Sequence, residues 1–330
     1  MPSPRIVVTG AAGFIGSRLL ADLSSRHPVA DLLAVDHPLT GPKQANLGAA
    51  PGVMFLGHSD FIEALETGRL RPEVILHMGA CSSTTEQDWS FLAENNLRYS
   101  QRIWTWCASR GGRLIYASSA ATYGDGSDGF DDEMPISRLS PLNLYGRSKH
   151  EFDLWVEAQA GAGRPCPAQS VGLKFFNVFG HGEAHKGRMA SMVFHGFEQI
   201  RSSGLVRLFR SHRPDYADGG QLRDFIWVDD IVDVVAALVA DPAVSGLFNL
   251  GTGKARSFRD LAEAVFAAMG LPPRIEYMPM PEDLQGRYQY FTQATMRKLA
   301  DAGIRYLPTP MEDAVARYVA RLAASRRVGT

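Results

Sequence analysis

The stretch IVVTGAAGFIGSRLL, residues 6–20, limits what this chain can fold into more than any other. A β-branched run leads straight into Gly10, Gly13 and Gly16, and these lead straight into an apolar pattern of helical spacing. Glycines so placed permit a tight turn, let backbone N–H groups approach a pyrophosphate and let helix and strand pack closely, while the helix N-terminus favours negative charge. In isolation a glycine-rich structural turn reads the same way. Asp36 separates the two readings, because it ends a second apolar run, LLAVD, about 20 residues past the last glycine, where a carboxylate reaches an adenosine ribose hydroxyl.

Further β-branched runs at 53–56, 74–77, 114–118 and 170–176 alternate with amphipathic segments, the pattern of βαβ units around a parallel sheet. We therefore expect an α/β chain: a Rossmann-type doubly wound parallel sheet with a smaller, discontinuous α/β substrate domain. Residues 1–176 and 224–251 are assigned to the nucleotide domain, the latter opening with a strand–helix unit at 224–239; residues 177–223 and 252–330 are assigned to the substrate domain. A length of 330 residues, 45% of them hydrophobic, gives room for about two domains. Lys plus Arg (34) nearly balances Asp plus Glu (35), so no global field draws the chain to nucleic acid or an anionic membrane, and any basic site must be local. Cys81, Cys107 and Cys166 form neither a CxxC pair nor a metal-ligand cluster, so no metal is expected. No apolar stretch is long enough to span a bilayer, and the expected setting is the cytoplasm, without a membrane partner.

In NLYGRSKHEFD, Tyr145 and Lys149 stand four residues apart in an amphipathic helical pattern and share one face. A phenol with an ordinary pKa near 10 is a poor base at neutral pH, and a neighbouring ammonium favours its ionised form. Alone, such a pair is also an exposed helix pair; behind a nucleotide loop and the strand-borne Ser119, whose hydroxyl can bond a substrate oxygen, it reads as an acid/base. Asp36 argues for a free 2′-hydroxyl on the adenosine ribose, whereas Lys43 could neutralise a 2′-phosphate, so the charges point both ways. From local composition, Lys186 in EAHKGRMASM is a solvated loop cation or a pyrophosphate contact.

The GxxGxxG spacing with Ser119, Tyr145 and Lys149 resembles the extended short-chain dehydrogenases/reductases that act on nucleotide sugars. Their 4,6-dehydratases carry an acidic pair just after the serine, where this chain has Ala120 and Ala121, which disfavours dehydration. HMGACSSTTEQD (77–88), EAHKGRMAS, LRDFIWVDDIVDV (222–234) and GRYQYFTQA (286–294) narrow the resemblance to the ADP-L-glycero-D-manno-heptose 6-epimerases, nearly along the whole chain.

That resemblance implies NADP, with NAD as the other candidate, held at the glycine loop with Phe14 and Ile15, at Asp36, His37 and Lys43, at Met78, Gly79, Ala80, Cys81 and Ser82, and at Asn95, Lys149, Val178 and Lys186. It implies a nucleotide-diphosphate heptose as substrate, touched by Asn177, Arg188, His195, Phe209, Arg223 and Tyr288, with Arg223 suited to a pyrophosphate. Its activity is C6 epimerisation through a ketone, supplying heptose for lipopolysaccharide, by a homo-oligomer of pentameric kind. Tyr145 and Lys186 then match two acid/bases, since inversion presents the hydroxyl in two poses and proton transfer reaches only about 3 Å. The chain departs from the pattern at His37, where asparagine is common, at His58, where a lysine approaches the cofactor, at Arg188, where serine is common, and in a long segment at 211–222. The alternatives are another nucleotide-sugar epimerase, such as a UDP-hexose 4-epimerase, which does not need HKGxMAS, and a nucleotide-sensing binding protein.

Overall fold

The structure, a computed structural model, describes residues 5–38, 41–48, 50–282 and 288–327. The β-branched runs become strands β1 (Ile6–Thr9), β2 (Leu32–Asp36), β3 (Met54–Gly57), β4 (Val74–His77), β5 (Arg113–Ser119) and β6 (Gln169–Phe175). Then follow β7 (Asn177–Phe179), β8 (Val206–Phe209), β9 (Leu222–Trp227), β10 (Gly246–Leu250), β11 (Ala255–Ser257) and β12 (Ile275–Met278). Seven of them form one parallel sheet in the order β10-β6-β5-β4-β1-β2-β3. Its central strands are buried on both faces, which explains why β1, β2 and β4 read as continuous apolar runs rather than alternating ones. One face is covered by the helices Phe14–Arg26 and Val228–Ala240, the other by His58–Glu66 and Tyr99–Arg110. Leu76 and Ile75, both 0% exposed, point to opposite faces, and each such side chain contributes about 1.5–3 kcal/mol on leaving water. The chain runs outward from β1 to β3 and returns to β4 on the other side of β1, so the strand order reverses there and leaves a crevice at the carboxyl ends of β1 and β4.

A smaller part combines the three-stranded sheet β11-β9-β7 with the parallel pair β12-β8. The helices Met192–Ser203, Phe258–Ala268 and Met311–Arg327 pack around a second core that includes Val193, Phe266 and Tyr318. Ser257 and Asp260 close a reciprocal capping box on the second of these helices, satisfying two otherwise orphaned N–H groups. The strand–helix unit expected at 224–239 is split: its strand β9 pairs with β7 and β11, while its helix lies against Phe14–Arg26. The place beside β6 goes to β10, in register from Gly246 opposite Val171 to Leu250 opposite Phe175. Among the described residues no helix is long and apolar enough to cross a membrane.

Candidate active site

A cleft of about 780 Å³ opens at the switch point and is lined from the carboxyl ends of β1, β2, β5 and β6, from β7 and from the loops after β1 and β4. Its floor is the glycine turn. Gly10 has φ +65°, and a Cβ there would lie 2.7 Å from the Gly79 backbone; a Cβ on Gly16 would run into the Gly10 carbonyl. The two backbone loops therefore meet only because those residues lack side chains. The helix beginning at Phe14 has Gly13 as its N-cap and no side-chain cap, so its first N–H groups stay available to an anion.

The residues after β4 are held from behind. Ser100 donates to the Asn96 carbonyl (2.7 Å), so it accepts from His77 Nε2–H (2.8 Å), which leaves His77 Nδ1 to accept from the Thr9 hydroxyl (2.7 Å). Burial, reinforced by Lys149, pushes the His77 pKa down to about 3 and keeps the ring neutral in that string. Asn96 clamps Cys81 on both sides, accepting from its N–H (2.8 Å) and donating to its carbonyl (2.9 Å). A π-helical stretch, Ala93–Arg98, lets Asn95 line the cleft while its neighbour Asn96 points into the protein.

At the adenosine end Asp36 is buried, accepting from the N–H groups of Ala12 (2.9 Å) and His37 (2.8 Å), with Lys43 Nζ 3.8 Å away. The rings of His37 and His58 lie 3.8 Å apart; burial and then the His58 charge hold the His37 pKa below its ordinary value.

Tyr145 and Lys149 project from the first turns of the helix Leu144–Gly161, which Asn143 caps by accepting from Gly146 N–H (2.8 Å). Burial pushes the Tyr145 phenol up, and its hydrogen bond with Ser119 at the end of β5 pulls it back. Lys149 donates to the Ala117 carbonyl (2.8 Å), and burial brings its pKa down to about 8 against the opposing pull of Asp153.

A separate wall is built by Asn177 and Val178 of β7 and by the tight turn Ala184–Met189, which brings His185 and Lys186 to the cleft. Lys186 Nζ sits 5.5 Å from the centre of the Phe14 ring, and burial lowers its pKa, with Glu183 opposing. Glu183, 0% exposed, clasps the base of this turn by accepting from Gly180 N–H (3.3 Å), Ser191 N–H (2.6 Å) and the Ser191 hydroxyl (2.7 Å).

Every residue expected at the cofactor lines this cleft, as do Ser119, Tyr145, Lys186 and Asn177. The other expected substrate contacts do not. Arg188 is exposed, and His195 lies on the helix Met192–Ser203 beside Phe194. Phe209, Arg223 and Tyr288 form their own cluster: the Arg223 guanidinium lies 5.0 Å from the Tyr288 ring and 5.6 Å from that of Phe258, a residue that does line the cleft. Gly286 and Arg287 of GRYQYFT lie outside the described residues. His77, Asn96 and Glu183 were not singled out from the sequence. Each is a polar residue beside an expected site, and nothing in a single sequence separates it from a surface residue.

The glycine cradle, the uncapped helix N-terminus and the buried Asp36 fit a dinucleotide, and the chain belongs to the NAD dependent epimerase/dehydratase family, whose pattern matches residues 6–251. It is thus an enzyme that works with a nicotinamide cofactor. It is 50% identical over 322 residues to the ADP-L-glycero-D-manno-heptose-6-epimerase of Nitratidesulfovibrio vulgaris, an alignment covering 97% of this chain and 98% of the relative. It shares its fold with the ADP-L-glycero-D-manno-heptose-6-epimerase of Helicobacter pylori (TM-score 0.79, 24% identity, 98% and 97% of the two chains). It is also similar to the UDP-glucose 4-epimerase of Thermus thermophilus in complex with NAD (TM-score 0.74, 26% identity, 96% and 97%).

Proposed function

We propose that the chain inverts C6 of the heptose in ADP-D-glycero-D-manno-heptose, giving ADP-L-glycero-D-manno-heptose through a 6-keto intermediate. The observation that carries this reading is that two proton-transfer groups, Tyr145 and Lys186, enter one cleft from separate elements. The full-length likeness to an ADP-heptose 6-epimerase supports the choice of sugar. A nicotinamide dinucleotide, when bound, supplies the reversible acceptance and return of the C6 hydride. Tyr145 moves the hydroxyl proton of one epimer, with Ser119 holding the oxygen, and Lys186 moves that of the other. Lys149 favours the Tyr145 phenolate by charge. Burial has already moved Lys186 toward the range in which an amine accepts a proton. A proton NMR time course with ADP-D-glycero-D-manno-heptose tests the reading: signals of the C6 epimer grow in. Turnover of UDP-glucose with the heptose substrate untouched would replace it.

The rate profile is expected to fall above about pH 8, as Lys149 loses its proton. For the cofactor we propose NADP, because Lys43, His37 and His58 place three basic side chains around Asp36 in the cleft. His37 has its pKa held below the ordinary 6.5, so it is neutral at pH 7 and gains charge on acidification. The ratio of NAD to NADP dissociation constants should therefore rise as pH falls below about 6.5, and Lys43→Ala should lower it by about tenfold at pH 7, equivalent to about 1.4 kcal/mol. Equal affinities at every pH would remove NADP as the preferred cofactor.

A further inference from the structure

Behind the Tyr145 and Lys149 face, the helix Leu144–Gly161 buries a second charged residue, Asp153, one turn past Lys149. Asp153 and Lys174 of β6 are each 1% exposed and form an ion pair at 3.1 Å. The carboxylate also accepts from the Ser118 hydroxyl (2.6 Å) and the Tyr116 hydroxyl (3.3 Å), both on β5. Lys174 donates in addition to the Thr122 hydroxyl (2.5 Å), and Thr122 donates to the Ser119 carbonyl (2.8 Å). Every bond in this network therefore ends on the segment that carries Ser119 or on the helix that carries Tyr145 and Lys149.

A buried ion pair is about neutral in stability against a well-packed apolar replacement, whereas removing one partner is costly. Stability alone does not account for placing this pair here. We propose that Asp153 and Lys174 are positioning residues for the Tyr145 and Lys149 couple: Asp153 sets the charge that Lys149 feels, Lys174 balances that charge, and together they lock the carboxyl end of β5. This rests on the reading of Tyr145 and Lys149 as reacting groups. Because Lys149 gives its own hydrogen bond to the Ala117 carbonyl, the attraction of Asp153 reaches it through space. The same attraction raises the Lys149 pKa, opposing burial. The other titratable groups facing the pair or Lys149 are His150 and Tyr145 on the same helix, Tyr116 on β5, Tyr123 just after it, and Cys81 and His77 beside Lys149.

The two halves of the pair act with opposite sign, which distinguishes an electrostatic role from a structural one. Asp153→Asn removes the negative charge and keeps the shape, so the Lys149 midpoint drops below about 8, by about one pH unit. Lys174→Met leaves Asp153 unbalanced, so the midpoint rises. The measurement is an NMR titration of 15N-lysine-labelled full-length protein with cofactor bound; the chain has six lysines, and Lys149→Arg assigns the signal. The alkaline limb of the rate profile should move in the same directions. An unchanged Lys149 midpoint in Asp153→Asn, or a shift of the same sign in both variants, overturns the proposal; if one variant fails to fold, the sign in the other decides. The titration needs no substrate, so inactivity toward ADP-heptose would overturn the proposed function and leave this inference standing.

Discussion

Lys186→Met is expected to stop net epimerisation, with turnover down about 10² to 10⁴-fold, the usual worth of a positioned acid/base, and cofactor affinity changed by no more than a few-fold. Methionine keeps most of the length and the apolar stem of the side chain and discards the ammonium, which lies 5.5 Å from the centre of the Phe14 ring. The turn itself stays in place, because its anchor is Glu183 on Gly180 and Ser191 rather than Lys186. Arg188, two residues on, cannot substitute: it is exposed, and a guanidinium does not give up its proton at the pH of the reaction. The competing view of Lys186 as a pyrophosphate contact predicts a different result, a raised KM with kcat preserved. Steady-state kinetics with ADP-D-glycero-D-manno-heptose decide between them, and kcat and KM both unchanged sink both.

The nucleotide end was legible because its chemistry is local in sequence. Glycine at 10 and 16 is required by a backbone approach that a Cβ would block, Gly13 stands between them as the helix N-cap, and Asp36 sits where the second strand ends, so strand, turn and acid are read in order. The Tyr145 and Lys149 pair was legible for the same reason, as one helical turn. Position 224 was harder. A strand followed by a helix looks like one more unit of the large sheet, but pairing is set by which edge is open, and β10 takes the edge that β9 would have needed. Asp153 and Lys174 are 21 positions apart, and Glu183 acts on a serine eight residues on; a charged residue whose partners arrive only with the tertiary fold looks like surface in the sequence. Within HKGxMAS the turn brings His185 and Lys186 to the cleft, whereas Arg188 is exposed, a distinction between near neighbours that only the backbone path makes.

Tyr145→Phe should cost as much as Lys186→Met, about 10² to 10⁴-fold in net turnover, but the two defects should differ in kind. The phenylalanine ring fills the same space beside Ser119, so a loss is the loss of the hydroxyl proton carrier rather than of packing. If Tyr145 and Lys186 each serve one pose of the C6 hydroxyl, each variant still oxidises the epimer handled by the base it retains. Mixing each variant with the D-glycero and L-glycero substrates separately, and following nicotinamide reduction optically in a single turnover, reads this directly. The expected pattern is crossed: the epimer that reduces the nicotinamide in Tyr145→Phe is inert in Lys186→Met, and the reverse. A single base serving both poses gives an uncrossed pattern instead, in which one variant loses both epimers and the other keeps both. That pattern would assign Lys186 to binding and leave inversion to rotation of the ketone in front of Tyr145.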